Sequence, residues 1–260
     1  MKTDKPILPI RRKTLPLIIV ILALVTSACG GRHKITIEGN LENGAGKVVY
    51  IEELTPESRL FIDSITLDRN GHFRFTYDMP YKTFYNLHVN EFDYVVLLPD
   101  YGHTDRITGC YDSLMVTYTV DGSHDSQLLW QLQMYTNDGI AKLREIGATD
   151  NQNRQALADG TMTRQQYEQA HMATDSIYLA TYYDQQMYAC NFIEGNAGSL
   201  ATIIALYKPF NVTKSLIEPE TGFEYYEVVL DGLESELPDN PHTLNFKNTV
   251  EHLRYQYARQ

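Results

Sequence analysis

The sequence changes its hydrophobic pattern near Asp121-Gly122-Ser123, and this change constrains the fold more than any other feature. Before it, short runs rich in Val, Ile, Tyr, Phe and Thr alternate with turn residues, and Asn70-Gly71 is the clearest hairpin turn. Such spacing is typical of an antiparallel sheet folded as a sandwich or open barrel. We therefore predict an α+β fold, with an antiparallel β-sandwich-like domain over residues 34–121 and an all-helical domain over residues 122–260. The predicted strands are Lys34 to Glu38, Lys47 to Glu52, Leu60 to Leu67, His72 to Tyr77, Thr83 to Val89, Tyr94 to Leu98 and Leu114 to Val120.

After Ser123 the apolar side chains recur at helical spacing. Asp125 is predicted to cap the first helix, and Pro209 ends a short apolar helix that should be buried. In the second helix, a row of mostly aromatic and apolar residues recurs at intervals of three and four, which predicts that this face of the helix packs in the core. The predicted helices are Asp125 to Ile146, Thr163 to Phe192, Leu200 to Tyr207, Phe223 to Leu237 and Pro241 to Tyr257, and this row, the predicted core stripe, consists of Tyr167, His171, Ile177, Tyr178, Thr181, Tyr182 and Tyr188.

The first 28 residues have the layout of a bacterial lipoprotein export signal. A basic head precedes an apolar run from Leu15, and the small residues Thr26-Ser27-Ala28 stand just before Cys29. A signal peptidase needs small side chains there, and the Cys29 thiol is the group that accepts a diacylglyceryl thioether. An uncleaved anchor is the alternative, but the run is about 14 residues and a spanning helix needs about 20. We predict a signal peptide over 1–28, lipidation of Cys29 and a linker over 29–33, which hold the protein at a membrane of the cell envelope.

Removal of residues 1–28 takes away five of the 22 Lys and Arg residues and one of the 33 Asp and Glu residues, which leaves a net charge of −15. This excess of carboxylates repels phosphate backbones, so nucleic acid is not an expected partner. The segment from Gly30 to Lys34 lacks the acidic run that we associate with export to the cell surface. A periplasm-facing location is therefore favoured over the surface.

Besides Cys29, the chain has two cysteines, Cys110 and Cys190. An oxidising compartment would allow a disulfide between them. Alternatively, each thiol acts as a small buried hydrophobe, because both have apolar and aromatic neighbours in the sequence. No Cys-x-x-Cys occurs, so the chain lacks the usual dithiol for thiol–disulfide exchange.

The chain lacks the common motifs of catalysis and cofactor binding. No His-Glu-x-x-His or Gly-x-Ser-x-Gly occurs, and no two histidines are three or four residues apart. His103-Thr104-Asp105 and His124-Asp125 place an imidazole near a carboxylate, but we interpret both as solvated turns. Gly44 to Lys47 predicts a hairpin, since Leu41 stands where a phosphate loop needs glycine. We expect no metal, no cofactor and no catalytic residue.

Four aromatic residues cluster around Pro80, between two predicted strands. Aromatic faces stack on sugar rings and on peptides, so a loop at this place could display a binding platform. Ordinary packing at the sheet edge is the alternative. The four residues are Tyr77, Tyr81, Phe84 and Tyr85.

Three short segments resemble the Asp-Ser/Thr-apolar acceptor of O-glycosylation in some anaerobic Gram-negative bacteria. The acceptor hydroxyls would be those of Ser64, Ser113 and Ser176. Two of these serines fall in a predicted strand or helix, where modification requires an outward-facing side chain.

One loose pattern of glycine and aromatic residues runs through both predicted domains. In the β-rich part it comprises Ile37-Glu38-Gly39-Asn40, Val48-Val49-Tyr50-Ile51, Asp63-Ser64, Asn70-Gly71-His72-Phe73, Pro80 and Tyr85. In the helical part it comprises Phe192 to Ala201, similar to FI-x-x-N-x-x-S-L-A, Tyr225-Tyr226 and Pro238 to Pro241. This pattern resembles the N-terminal region of unknown function that precedes a thioredoxin-like domain in many Gram-negative lipoproteins, and it covers nearly all of the mature chain.

The resemblance implies a link to thiol–disulfide chemistry, although such lipoproteins continue into a thioredoxin-like fold with Cys-x-x-Cys and this chain ends at Gln260. We expect either a free-standing module or the front half of a longer oxidoreductase. If the protein is a free-standing module, we expect a non-catalytic accessory protein that docks a thioredoxin-like partner near the membrane. The alternative function is that of a glycan- or peptide-binding lipoprotein with no redox connection.

Overall fold

The computed structural model describes residues 33–257, and in this range the α+β fold predicted from the sequence is confirmed. Strands dominate up to Asp121, and helices dominate after it. The elements are β1 (Lys34–Glu42), β2 (Val48–Leu54), β3 (Arg59–Thr66), β4 (His72–Asp78), β5 (Phe84–His88), β6 (Tyr94–Leu97), β7 (Thr104–Cys110), α1 (Leu114–Thr117), β8 (Thr119–Asp121), α2 (His124–Ala158), α3 (Arg164–Gly195), α4 (Ala201–Leu206), β9 (Pro209–Asn211), β10 (Lys214–Ser215), α5 (Phe223–Glu236) and α6 (Pro241–Tyr257).

The β-domain is a sandwich of two four-stranded sheets. Sheet A has the strand order β4-β1-β7-β8, and sheet B has the order β3-β2-β5-β6. Alternate residues of each strand point inward. Ile35 and Ile37 on β1, with Val49 and Ile51 on β2, are all at most 1% exposed. Both sheets contribute to one buried apolar cluster, which is the core of the sandwich.

The sequence prediction misses strand β7. This strand lies inside sheet A and pairs with β1 in parallel, so sheet A is mixed, whereas all other pairs in the two sheets are antiparallel. The segment has a single large aliphatic residue, Ile107, between polar residues and glycine. Asp105 and Ile107 both point inward, although only Ile107 is apolar. The alternating burial of β7 is therefore set by the neighbouring strands.

Residues 114–120 are predicted as a strand, but they form the helical turn α1 and the short strand β8. The carboxylate of Asp93 accepts the backbone N–H of Leu114 at 2.9 Å and that of Met115 at 2.6 Å. This side chain therefore caps the helical turn from a distant part of the chain. A short apolar run does not distinguish helix from strand, so a tertiary contact decides the outcome.

The helical domain is built on a long antiparallel hairpin of α2 and α3. Helix α2 continues to Ala158, well past the predicted end at Ile146, and the left-handed Gly160 makes the turn. A capping box between Thr163 and Gln166 starts α3. Helices α4, α5 and α6 pack on the half of the hairpin nearest the β-domain and form a second buried core. Within residues 33–257, no helix is both long and apolar enough to cross a membrane.

Two helical glycines should respond to alanine in opposite directions. A Cβ at Gly232 on α5 would lie 2.4 Å from the carbonyl carbon of Ala197, whereas a Cβ at the exposed Gly147 on α2 would meet nothing within 4 Å. Gly232→Ala is expected to lower the free energy of unfolding by about 2 kcal/mol through overpacking. Gly147→Ala is expected to raise it by about 0.5–1 kcal/mol through helix propensity. Urea unfolding of both variants checks this pair, and equal shifts would contradict the packing of α5.

Candidate docking face

Close side-chain contacts join α2 and α3 midway along the hairpin. A Cβ at Gly139 would lie 2.6 Å from the Gln185 side chain, so the helices approach closely there. Gln185 Nε2 donates to the carbonyl of Tyr135 at 3.1 Å, and the rings of Tyr135 and Tyr188 stack with centroids 3.7 Å apart. These contacts fix the rotation of α3 about its own axis. The residues that α3 presents to solvent are therefore well defined.

The outward face of α3 carries a row of exposed apolar side chains, Met172, Leu179, Tyr183 and Met187, which we call the α3 stripe. Their exposed fractions are 61%, 49%, 60% and 60%. Spacings of seven, four and four residues place them on one face of the helix over about 22 Å. Scattered apolar residues are ordinary on a protein surface, but several large ones on one helix face mark a candidate interaction site.

Tyr183 in the α3 stripe packs on an aromatic cluster. The ring of Tyr183 meets that of Tyr182 at 5.4 Å, and Tyr182 packs on Phe210 at 5.0 Å. Lys214 Nζ lies 3.6 Å from the centre of the Tyr182 ring, as a cation–π contact. Because these side chains are held in place, less conformational entropy would be lost when a partner binds.

Asp150 on α2 lies beside the N-terminal part of α3. The carboxylate of Asp150 on α2 accepts from Arg154 and lies 3.4 Å from Nδ1 of His171 on α3. The pKa of Asp150 is lowered, chiefly by the hydrogen bond from Arg154. Met172, the first residue of the α3 stripe, follows His171 directly.

A buried ion network joins the β-domain to the helical domain. The ammonium of Lys82 contacts the carboxylates of Asp100 and Asp125. The second oxygen of Asp125 accepts from Ser199 Oγ at 2.8 Å. Burial alone would lower the pKa of Lys82, but the hydrogen bonds to the two carboxylates raise it overall. Asp125 thus lies in the first turn of α2 and binds across the junction. The prediction that Asp125 caps this helix is wrong, because the residue that precedes the helix is Ser123.

The interpretation of His103 to Asp105 and of His124-Asp125 as solvated turns is wrong, because Asp105 and Asp125 are 0% and 7% exposed and His124-Asp125 belongs to α2. The carboxylate of Asp105 accepts the backbone N–H of Ser123 at 2.6 Å and the hydroxyl of Ser126. Ser126 Oγ in turn accepts the backbone N–H of Leu98 at 2.8 Å. A strand of sheet A, the start of α2 and the end of sheet B are therefore held by one carboxylate and one hydroxyl.

His242 on α6 makes a further polar contact across the junction. Its Nε2 lies 2.9 Å from Thr83 Oγ1, and Thr83 donates its own hydroxyl hydrogen to the carbonyl of Leu54. Nε2 must therefore carry the hydrogen of the neutral ring. Burial lowers the pKa of His242 to about 4. The ring is uncharged at neutral pH, and its protonation would place a charge in the interface.

The junction should consequently weaken in acid. Between pH 6.5 and about 4 the unfolded state takes up a proton on His242 and the native state does not, so stability falls as the pH falls through this window. His242→Gln keeps a donor for Thr83 and cannot titrate. We expect the stability difference between wild type and this variant to shrink from pH 7 to pH 4 in urea titrations. A difference that stays constant would contradict a neutral buried imidazole.

The structure does not join Cys110 to Cys190, and both are free thiols. Cys110 Sγ accepts from Asn43 Nδ2 at 3.5 Å in the β-domain, whereas Cys190 lies on α3 against the helical core. Burial raises the pKa of the Cys190 thiol, so little of it is the reactive thiolate at neutral pH. Cys29, the predicted lipidation site, lies outside the described residues.

The four aromatic residues around Pro80 do not form an exposed platform. Phe84 and Tyr85 are only 4% and 1% exposed, because both belong to strand β5 at the centre of sheet B. Phe84 packs on the helical core and Tyr85 lies inside the sandwich. Tyr77 and Tyr81 are half-buried. The alternative of ordinary packing therefore describes this cluster.

The three serines of the predicted O-glycosylation motif differ in accessibility. Ser64 on β3 and Ser176 on α3 are exposed, and Ser113 is half-buried. Ser176 Oγ donates to the carbonyl of Met172 at 2.8 Å. Only Ser64 and Ser176 present the outward-facing side chain that modification requires.

Sequence reasoning misses the α3 stripe because α3 has apolar residues on two faces. The predicted core stripe is partly right, since Thr181 and Tyr182 are 4% and 6% exposed, but Ile177 is 53% exposed. The available signal is the separate row formed by Leu179, Tyr183 and Met187, at a spacing of four. Two apolar rows on one helix predict one face for the core and one for a partner.

Among residues 33–257, no group of three or more His, Cys, Asp or Glu side chains is arranged to hold a metal ion. Comparison with protein-family models, with curated proteins and with solved structures finds no match to the chain.

Proposed function

We propose that this protein is a non-catalytic docking module, anchored in the cell envelope by a lipid on Cys29, and that its α3 stripe binds a thioredoxin-like partner. The α3 stripe is the observation that carries the proposal. The resemblance to the region that precedes a thioredoxin-like domain supports the choice of partner. The location rests on the sequence pattern of residues 1–29.

The charge of the protein gives the partner a second expected property. The mature chain is strongly acidic, and Asp175 and Asp184 lie beside the α3 stripe on the same helix. A partner with basic side chains around an apolar patch would complement this surface. We expect its association rate to fall as the salt concentration rises, because exposed charges steer the encounter and salt screens them.

Ser176 links the proposal to the predicted modification. It is exposed and lies between Met172 and Leu179 in the α3 stripe. A glycan on Ser176 would cover the apolar side chains that the proposal needs. Docking and modification at this serine are therefore mutually exclusive, whereas modification at Ser64 on the β-domain is compatible with docking.

Removal of two large side chains from the stripe should abolish most of the binding. For the double variant Tyr183→Ser and Met187→Ser, we expect at least tenfold weaker binding to a purified thioredoxin-like envelope protein of the same organism, because central aromatic anchors dominate interface energies. Biolayer interferometry with immobilised wild type and variant measures this loss. Thermal unfolding should be nearly unchanged, since both side chains are 60% exposed.

A matched control tests whether any exposed aromatic would serve. Phe61 and Phe92 are 63% and 82% exposed on the β-domain. The double variant Phe61→Ser and Phe92→Ser should bind the thioredoxin-like protein as wild type does. Equal loss in both double variants, or unchanged binding after the α3 substitutions, would contradict docking at the α3 stripe.

A peptide-binding function is the second candidate, and the free edge of β3 favours it. Among residues 33–257, strand β3 pairs only with β2 in sheet B, and it carries Leu60 and Phe61 at 48% and 63% exposure. An extended peptide adds to such an edge through backbone hydrogen bonds. Loss of partner binding in the Phe61 variant alone would favour this function.

A further inference from the structure

A largely enclosed cavity of about 160 Å³ lies between sheet B and the helical domain. Its walls are mostly apolar and include Val96 from β6, Leu129 and Leu132 from α2, and Ile204 from α4. The amine of Lys208 is the cationic group in this lining. A volume of this size holds one molecule about as large as a benzene ring.

Lys208 is unusual because its amine has no counterion among residues 33–257. Its Nζ donates to Gln133 Oε1 at 2.9 Å, and within residues 33–257 no carboxylate lies within 4.0 Å of it. Burial lowers the pKa of Lys208 to about 8. An ammonium has three donors, so two of them have no acceptor among the described residues. Lys208 is half-buried, and a lysine of lowered pKa in a cavity is a candidate for binding or chemistry.

The donor and the acceptor are fixed for each hydrogen bond in the series that runs from Lys208 through Gln133 and Asn137. Lysine only donates, so Gln133 must turn its oxygen toward Nζ, and its Nε2 then donates to Asn137 Oδ1 at 2.8 Å. The Asn137 amide donates to the carbonyl of Met115 at 3.1 Å. This chain presents an acceptor to the amine from one side and holds it there. The free donors of Lys208 remain for a group in the cavity.

Polar atoms without partners lie on the neighbouring strand. Val96 and Tyr94, which line the cavity, pair in register with Asn86 and His88 on β5. Directly opposed residues point to the same face of a sheet. Among residues 33–257, Asn86 Oδ1 and both ring nitrogens of His88 are buried without a hydrogen-bond partner, although His88 Nε2 lies 3.7 Å from the Glu52 carboxylate. Neither Asn86 nor His88 lines the cavity, so the argument for a ligand depends on Lys208 and the apolar walls.

We infer that the junction cavity binds a small monocarboxylate with an apolar body, whose carboxylate accepts from Lys208 and whose body packs on Leu129, Leu132 and Ile204. The charge of the ligand is limited by the lining, since one ammonium among apolar walls neutralises one negative charge. A phosphate dianion would leave a buried charge unpaired. Tyr94 is 39% exposed and lies at the lining, so access from solvent passes this side chain. This site is separate from the α3 stripe and does not depend on docking there.

The test is a series of carboxylates from acetate through propionate, butyrate and isovalerate to benzoate. Isothermal titration calorimetry at pH 7 should give affinities that rise by about fourfold for each added methylene until the cavity is full. Benzoate should raise the pKa of Lys208, followed by the ¹³Cε shift, because a bound anion stabilises the ammonium. Benzamide, which has the same shape and no charge, should bind at least tenfold more weakly than benzoate.

Two variants separate the cavity from nonspecific binding. Lys208→Met keeps the apolar length of the side chain and should weaken benzoate at least tenfold. Lys142→Met, at an exposed lysine of α2 that does not line the cavity, should bind benzoate as wild type does. Equal benzoate affinity in wild type and Lys208→Met, or no saturable binding of any of the acids up to about 10 mM, would overturn the inference.

Discussion

Lys82→Met is expected to lower the free energy of unfolding by about 3–5 kcal/mol, because it leaves two carboxylates facing each other at the domain junction. The Lys82 side chain is 17% exposed, and the Asp125 and Asp100 side chains are 10% and 32% exposed. Methionine keeps most of the packing of the lysine stem but has no charge. Urea unfolding at pH 7 measures the loss, and adding Asp125→Asn to the variant should recover part of it.

The pH dependence of this loss has a definite sign. The folded pKa of Lys82 is raised above 10.5, so its stabilisation is fully present below that pH and is lost only as the pH rises through the folded value. Lys47→Met is the matched control, since Lys47 pairs with Asp112 at the surface, where ion pairs contribute at most about 1 kcal/mol. Similar losses in the two variants would contradict a buried network at the junction.

Lys208→Met should make the protein more stable at neutral pH, on the order of 2–3 kcal/mol. The pKa of Lys208 falls from 10.5 to about 8 on folding. Between these values the unfolded state binds a proton that the native state does not, so stability rises with pH in this window and the full penalty is present below about pH 8. The variant removes the penalty.

Urea titrations at pH 7 and pH 10 measure this effect. The gain of Lys208→Met over wild type should be largest at pH 7 and should shrink toward pH 10. Lys142→Met, at an exposed position, should change stability by less than about 0.5 kcal/mol. A Lys208→Met variant less stable than wild type at pH 7 would mean that the hydrogen-bond donors of the amine already have partners in the native protein. This result would contradict the binding of an anionic ligand in the cavity.

Local patterns predict most of the fold, because the strands up to β6 and all five main helices follow the spacing of their own side chains. They fail where a distant residue decides the local structure. Strand β7 is polar and depends on the strands beside it, and α1 depends on the Asp93 carboxylate that caps it. No pattern within a few residues of either segment carries that information.

The candidate sites are harder to predict, for the same physical reason. Lys82 and Asp125 are far apart in the sequence and meet only because the domains pack. Lys208 has one local signal, since it follows a short apolar helix and precedes Pro209, where a charged side chain is out of place. The aromatic cluster around Pro80 suggests an exposed platform that does not exist. Phe84 and Tyr85 lie on opposite faces of a central strand, and each face is covered by a buried core.

Site-specific photocrosslinking in the native host tests docking at the α3 stripe most directly. A photoreactive phenylalanine analogue placed at Tyr183 should capture one main species, identified by mass spectrometry as a thioredoxin-like envelope protein, in the membrane fraction. The same analogue at Phe92, which is more exposed but lies on the β-domain, should not capture it. Capture of that protein only from position 92, or no capture of a thioredoxin-like protein from position 183, would contradict the proposed function.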